Sequence, residues 1–109
     1  AVFASLSARV GSIADNRLGG WYGYRASKAA QNMFMKTLSI EWARRWPDRA
    51  VVSLHPGTVE TDLSAPFRRH AATVFSVERA AEQLLGIVDG LTGADTGRFM
   101  AWDGSDIPY

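Results

Sequence analysis

A chain of 109 residues with 47% hydrophobic and 21% charged side chains is one small globular domain or part of a larger one. A net charge of +1, with no basic run beyond Arg44-Arg45 and Arg68-Arg69-His70, gives no electrostatic ground for a nucleic acid or an anionic membrane as partner. The absence of cysteine excludes a disulfide framework and a thiolate metal site, and no apolar run approaches the ~18–20 residues of a membrane span. The first residues lack the charged flank of a signal peptide, so a cytoplasmic location is expected. The chain opens without Met, inside an apolar stretch, as if cut from something longer.

Residues 1–7 form a short apolar run ending in small residues, which predicts a buried strand. Residues 8–20 are a loop rich in Gly, Ser, Asp and Asn. From Tyr22 to Trp46 runs a long helix whose apolar residues cover most of the helical wheel, which predicts burial on two sides. Tyr24, Lys28 and Asn32 occupy its polar sector, and Arg44 and Arg45 suit its C-terminal dipole. Residues 50–55 are a second strand, stopped by Pro56-Gly57. Residues 58–75 show weak periodicity, and uncovered loops of that length are usually functional lids or mobile segments. Ser76 caps a second helix ending near Gly90, with Val77, Ala80, Ala81, Leu84, Leu85 and Val88 as its inner face. Residues 97–102 are a third strand, followed by an Asp103-Gly104 turn. The order is that of an α/β chain with parallel strands and right-handed crossovers. Three strands make a thin sheet, so the expectation is the C-terminal half of a doubly wound, Rossmann-like domain.

Tyr24 and Lys28 stand four residues apart at the head of the long helix, one turn above the other on a single face. A phenol, with an unperturbed pKa near ~10, is a poor base at neutral pH. A fixed ammonium one turn away favours the phenolate, and a Tyr so tuned passes a proton to or from an alcohol or carbonyl oxygen.

Four features in register make the chain resemble the C-terminal half of the short-chain dehydrogenases/reductases. They are a strand ending Leu6-Ser7-Ala8-Arg9-Val10-Gly11-Ser12, the string Tyr24-Arg25-Ala26-Ser27-Lys28, the strand end His55-Pro56-Gly57-Thr58-Val59-Glu60-Thr61, and a last strand closing on Asp103-Gly104. The wider strings, from Gly20-Trp21-Tyr22-Gly23 to Trp102-Asp103-Gly104, are similar to the C-factor and carbonyl-reductase-like branch. The resemblance implies NAD- or NADP-dependent interconversion of a small carbonyl and its alcohol. Tyr24 would be the acid/base, and Lys28 would support it and bind the nicotinamide ribose. Pro56, Gly57, Val59 and Thr61 would meet the nicotinamide end of the cofactor. Residues 62–75 would be the substrate lid, whose Leu63, Pro66 and Phe67 would form an apolar wall opposite Trp21. The long helix, residues 22–46, would join two copies in a homo-oligomer.

The family's carbonyl-binding Ser is a departure. Counting from Gly11 places it at Ala8, and counting back from Tyr24 places it at Gly11. Ser7 and Ser12 flank these positions, and both stay open as candidates beside the reading that neither acts. No second ligand lies at metal spacing from His55 or His70, so no metal site is expected; His55 is expected to pack at its strand end. A G-x-x-x-G-x-G turn to cradle a pyrophosphate is missing. The alternative is a non-catalytic signalling or interaction protein on the same fold.

Overall fold

The structure, a computed structural model, describes residues 1–60 and 74–109. Its centre is a parallel sheet of three strands: β1 (Val2–Leu6), β2 (Ala50–His55) and, at the end of the chain, β5 (Phe99–Ala101), in the order β1-β2-β5. Between them lie α1 (Tyr22–Arg45), the short strands β3 (Thr58–Val59) and β4 (Val74–Phe75), and α2 (Val77–Asp89). The mostly apolar run of β2, with Val51 and Val52, is the middle strand, and Ala50 through Leu54 are buried. Its register runs from Val2 opposite Ala50 to Leu6 opposite Leu54 on one side, and from Ser53 opposite Phe99 to His55 opposite Ala101 on the other.

Alternation along the strands assigns the two faces. Val52, Leu54 and Met100 pack against Leu84, Ile87, Val88 and Leu91, the inner side of α2 and the turn after it. Phe3, Ser5 and Ser7 face α1, where the Phe3 and Trp42 rings lie 6.3 Å apart. One helix therefore covers each face, as in a Rossmann-like α/β protein. Burying an aliphatic side chain of this kind is worth ~1.5–3 kcal/mol.

Several expectations are corrected here. Among the described residues β1 pairs with β2 alone, and Phe3 and Leu6 are about half exposed where full burial is expected from the sequence. The two crossovers step in the same direction across the sheet but use opposite faces, so they have opposite hands and cannot both be right-handed. The second connection is not a simple strand-to-helix turn: β3 and β4 pair in parallel within it, Thr58 opposite Val74 and Val59 opposite Phe75, where a continuous loop is expected from the sequence. The inner stripe of α2 is Ala80, Leu84, Ile87 and Val88; Val77, Ala81 and Leu85 fall on an adjoining stripe one turn-width away and are exposed. Its start is as expected, with the Ser76 hydroxyl accepting from the Arg79 amide at 3.1 Å. α1 buries one side only within the chain, and Met33, Phe34 and Ile40 on the other side are exposed.

Candidate active site

The site lies at the C-terminal ends of β1 and β2, where open α/β sheets hold ligands. Two devices set the start of α1 there. Gly19, Gly20 and Trp21 are successive residues with positive φ, and Trp21 is the one non-glycine of this kind among the described residues. Arg25 secures them: Nε donates to the Gly20 carbonyl at 2.9 Å, Nη2 donates to the Gly19 carbonyl at 3.1 Å, and the guanidinium lies 5.8 Å from the Trp21 ring centre. The second device is the tight turn Arg9–Gly11, seated on α1. A Cβ at Gly11 would stand 2.9 Å from both Cβ and the carbonyl carbon of Lys28, so glycine alone permits this approach.

Tyr24 and Lys28 meet as the helical spacing predicts. The Lys28 ammonium lies 5.9 Å from the centre of the Tyr24 ring, and Tyr24 is 38% exposed. The ammonium donates to the Gln31 side-chain carbonyl at 3.2 Å. The Gln31 amide in turn donates to the Ser5 hydroxyl at 2.5 Å and to the Leu6 carbonyl at 2.8 Å.

The two candidate serines are committed elsewhere. Ser7, buried at the end of β1, donates to Oδ1 of the buried Asn32 at 2.6 Å. Asn32 is thus not on the solvent-facing polar sector with Tyr24 and Lys28, because its turn of the helix faces β1; its Nδ2 is buried and finds no hydrogen-bond partner among the described residues. Ser12 donates to the Pro108 carbonyl and accepts from the Asp15 amide at 3.0 Å, tying the loop to the C-terminal tail. Ala8, between the two, is buried.

At the end of β2, His55 accepts the Arg9 amide proton on Nδ1 at 3.1 Å. Burial, reinforced by the Arg9 charge, lowers its pKa to about 4. Pro56 follows, and then Gly57 with φ of 79°. A Cβ on Gly57 would lie 2.7 Å from the Phe75 ring and 3.0 Å from Trp102, whose rings meet edge to face at 4.8 Å. What approaches this glycine is therefore the chain's own aromatic pair. Val59 lies in β3 beside Phe75, and the Glu60 amide donates to the Phe75 carbonyl at 2.8 Å. Thr61 lies outside the described residues, as do Leu63, Pro66, Phe67 and His70 of the expected lid. Two shallow grooves of about 250 and 290 Å³ follow the Ala29 side of α1, and neither is lined by Tyr24 or Lys28.

Sequence reasoning missed Gln31 and the buried role of Asn32. The signal for Gln31 was present: it stands three residues after Lys28, on the same helical face.

A parallel α/β sheet with a helix on each face places the chain in the doubly wound, Rossmann-like class. The comparisons narrow that class. The profile described as short chain dehydrogenase matches residues 8–72. C-signal of Myxococcus xanthus is 37% identical over 106 residues, covering 97% of this chain and 60% of the relative. The 1-hydroxy-2-glutathionyl-2-methyl-3-butene dehydrogenase of Rhodococcus sp. strain AD45 is 40% identical over 108 residues, covering 95% and 45%. Among solved structures, the carbonyl reductase Sniffer of D. melanogaster superposes with a TM-score of 0.86 at 32% identity, covering all of this chain and 41% of that one. The NADPH-bound carbonyl reductase from chicken fatty liver gives 0.86 at 29% identity, covering 100% and 43%. The chain belongs to the short-chain dehydrogenase family, and it spans about half the length of the relatives it matches.

Proposed function

We propose that the protein carries the catalytic half of a nicotinamide-dependent oxidoreductase that interconverts a small carbonyl and its alcohol. The observation that supports this most is the Lys28 ammonium held beside the Tyr24 ring at the strand ends. Tyr24 gives its phenolic proton to the substrate oxygen in reduction and takes it back in oxidation. Lys28 supplies the positive charge that stabilises the Tyr24 oxygen as that proton leaves. Its ammonium donates to the neutral Gln31 amide, and among the described residues no carboxylate pairs with it to cancel the charge.

The bound nicotinamide supplies the hydride chemistry. The residues present fit its nicotinamide end: Lys28 is a donor for ribose hydroxyls, and Val59 and Thr61 follow the strand end where the carboxamide is read. Gly57 serves this end indirectly, by admitting Phe75 and Trp102 beneath the turn. Either NAD or NADP is proposed. With no Gly-rich turn among its 109 residues, the isolated chain is proposed to be inactive alone. Neither Ser7 nor Ser12 is needed in this reading, and carbonyl polarisation then rests on Tyr24. The outer side of α1, with Met33, Phe34 and Ile40 exposed, is proposed to meet a second copy of the chain.

A second reading is non-catalytic signalling on the same fold. The identity to C-signal favours it, together with Ala8 at the position counted for the family's serine. The test is turnover of a panel of small carbonyls by the protein as its gene encodes it, with Tyr24→Phe in parallel. Turnover lost in the variant supports the enzyme; a folded protein with no turnover and no cofactor binding supports the signalling role.

A further inference from the structure

Gln31, half-buried on α1, makes three hydrogen bonds. Its carbonyl accepts from the Lys28 ammonium at 3.2 Å. Its amide nitrogen donates to the Ser5 hydroxyl at 2.5 Å and the Leu6 carbonyl at 2.8 Å. The odd residues of β1 bond to β2, with the Ser7 amide donating to the Leu54 carbonyl at 2.7 Å and the Ala1 carbonyl accepting from the Ala50 amide at 3.1 Å. The Leu6 carbonyl therefore points away from β2, and the Gln31 amide bonds it there. The same side chain thus has one end fixed to the last turn of a strand and the other on a flexible lysine.

We propose that Gln31 is the positioning residue of Lys28, tying its ammonium to the end of β1 so that it stays beside Tyr24. This rests on the Tyr24–Lys28 reading above and deepens it. The chemistry of the side chain matters as much as its reach. An amide oxygen anchors an ammonium without neutralising it, whereas a carboxylate at the same place would hold it and cancel its field. A lysine stem left unanchored has four rotatable bonds and spends its time in solvent. Ser5 is part of the device, because its hydroxyl is one of the two β1 groups that orient the amide.

The test uses the protein as its gene encodes it, with Gln31→Met, Gln31→Glu and Ser5→Ala. Two readouts are taken: the NMR correlation of the Lys28 ammonium and the pH–rate profile for carbonyl reduction. In Gln31→Met the ammonium signal is expected to vanish into exchange and kcat to fall about tenfold, with the melting temperature changed by only a few degrees. In Gln31→Glu the signal persists, and the midpoint of the pH–rate profile moves up by about one unit. Ser5→Ala gives a weaker version of the Met result. A Lys28 signal and pH profile unchanged in all three would overturn the proposal and leave Gln31 as a cap on the Leu6 carbonyl, whatever happens to stability. Tyr24→Phe separates the two levels: full turnover there removes the acid/base reading, while the Lys28 signal still decides whether Gln31 holds the ammonium.

Discussion

His55 makes the stability of this fold depend on pH between about 4 and 6.5. Its folded pKa lies at about 4 against an ordinary value of 6.5, chiefly because burial penalises the imidazolium and secondarily because Arg9 repels it. The unfolded chain therefore binds the proton that the folded chain refuses. Stability is fully present above the unfolded value, and it falls as the pH drops through 6.5 toward 4. At about 1.4 kcal/mol per unit, the whole window is worth at most ~3 kcal/mol, of which ~2 kcal/mol is lost between pH 7 and pH 4.5. Protonation of Nδ1 also breaks the Arg9 amide bond, which joins the end of β2 to the turn that seats α1. His55→Asn places an oxygen where Nδ1 was, keeping the acceptor and removing the titration. Urea unfolding of both proteins at pH 7 and pH 4.5 reads the difference and cancels the carboxylates common to both. The wild type is expected to lose ~2 kcal/mol more than the variant. Equal losses would refute the reasoning, because the proton would then be taken up equally by folded and unfolded His55.

Gly11→Ala is expected to cost ~1–3 kcal/mol, since its Cβ would stand 2.9 Å from Lys28 backbone and side-chain atoms; thermal unfolding measures this, and an unchanged melting temperature would mean the turn does not sit on α1 as described. Ser7→Ala leaves the buried Asn32 amide with neither of its groups bonded and is expected to cost ~1–3 kcal/mol in denaturant unfolding. Ala8→Ser is expected to raise kcat/KM for carbonyl reduction by about tenfold or more, because it returns a hydroxyl to the family's counted position. No gain in a folded Ala8→Ser protein would mean that polarisation does not depend on that position.

Much of the fold was legible because its signals are local. β2 is a short, mostly apolar run stopped by Pro56, and α2 carries Ser76 where a cap belongs. Tyr24 and Lys28 meet because four residues are one helical turn. The failures lie where the answer depends on neighbours distant in sequence. The apolarity of β1 says that it suits burial, but how far it is buried depends on what packs against it. Val77, Ala81 and Leu85 are as apolar as the residues that face the sheet, and only the docking angle of α2 chooses between the two stripes. Opposite crossover hands cannot be read from element order. Asn32 looked like a surface residue because it is polar, yet the end of β1 brings Ser7 to it. Gln31 was passed over for the opposite reason: an amide beside a charged pair carries no motif.

The central claim, a nicotinamide site built on Tyr24 and Lys28, is tested most directly by titrating the protein as its gene encodes it with NADH and NADPH and following nicotinamide fluorescence, with Lys28→Met alongside. Saturable binding by the wild type, weakened at least about tenfold in the variant, is the predicted result. A folded protein that binds neither cofactor, or binds equally well without the Lys28 ammonium, would contradict it.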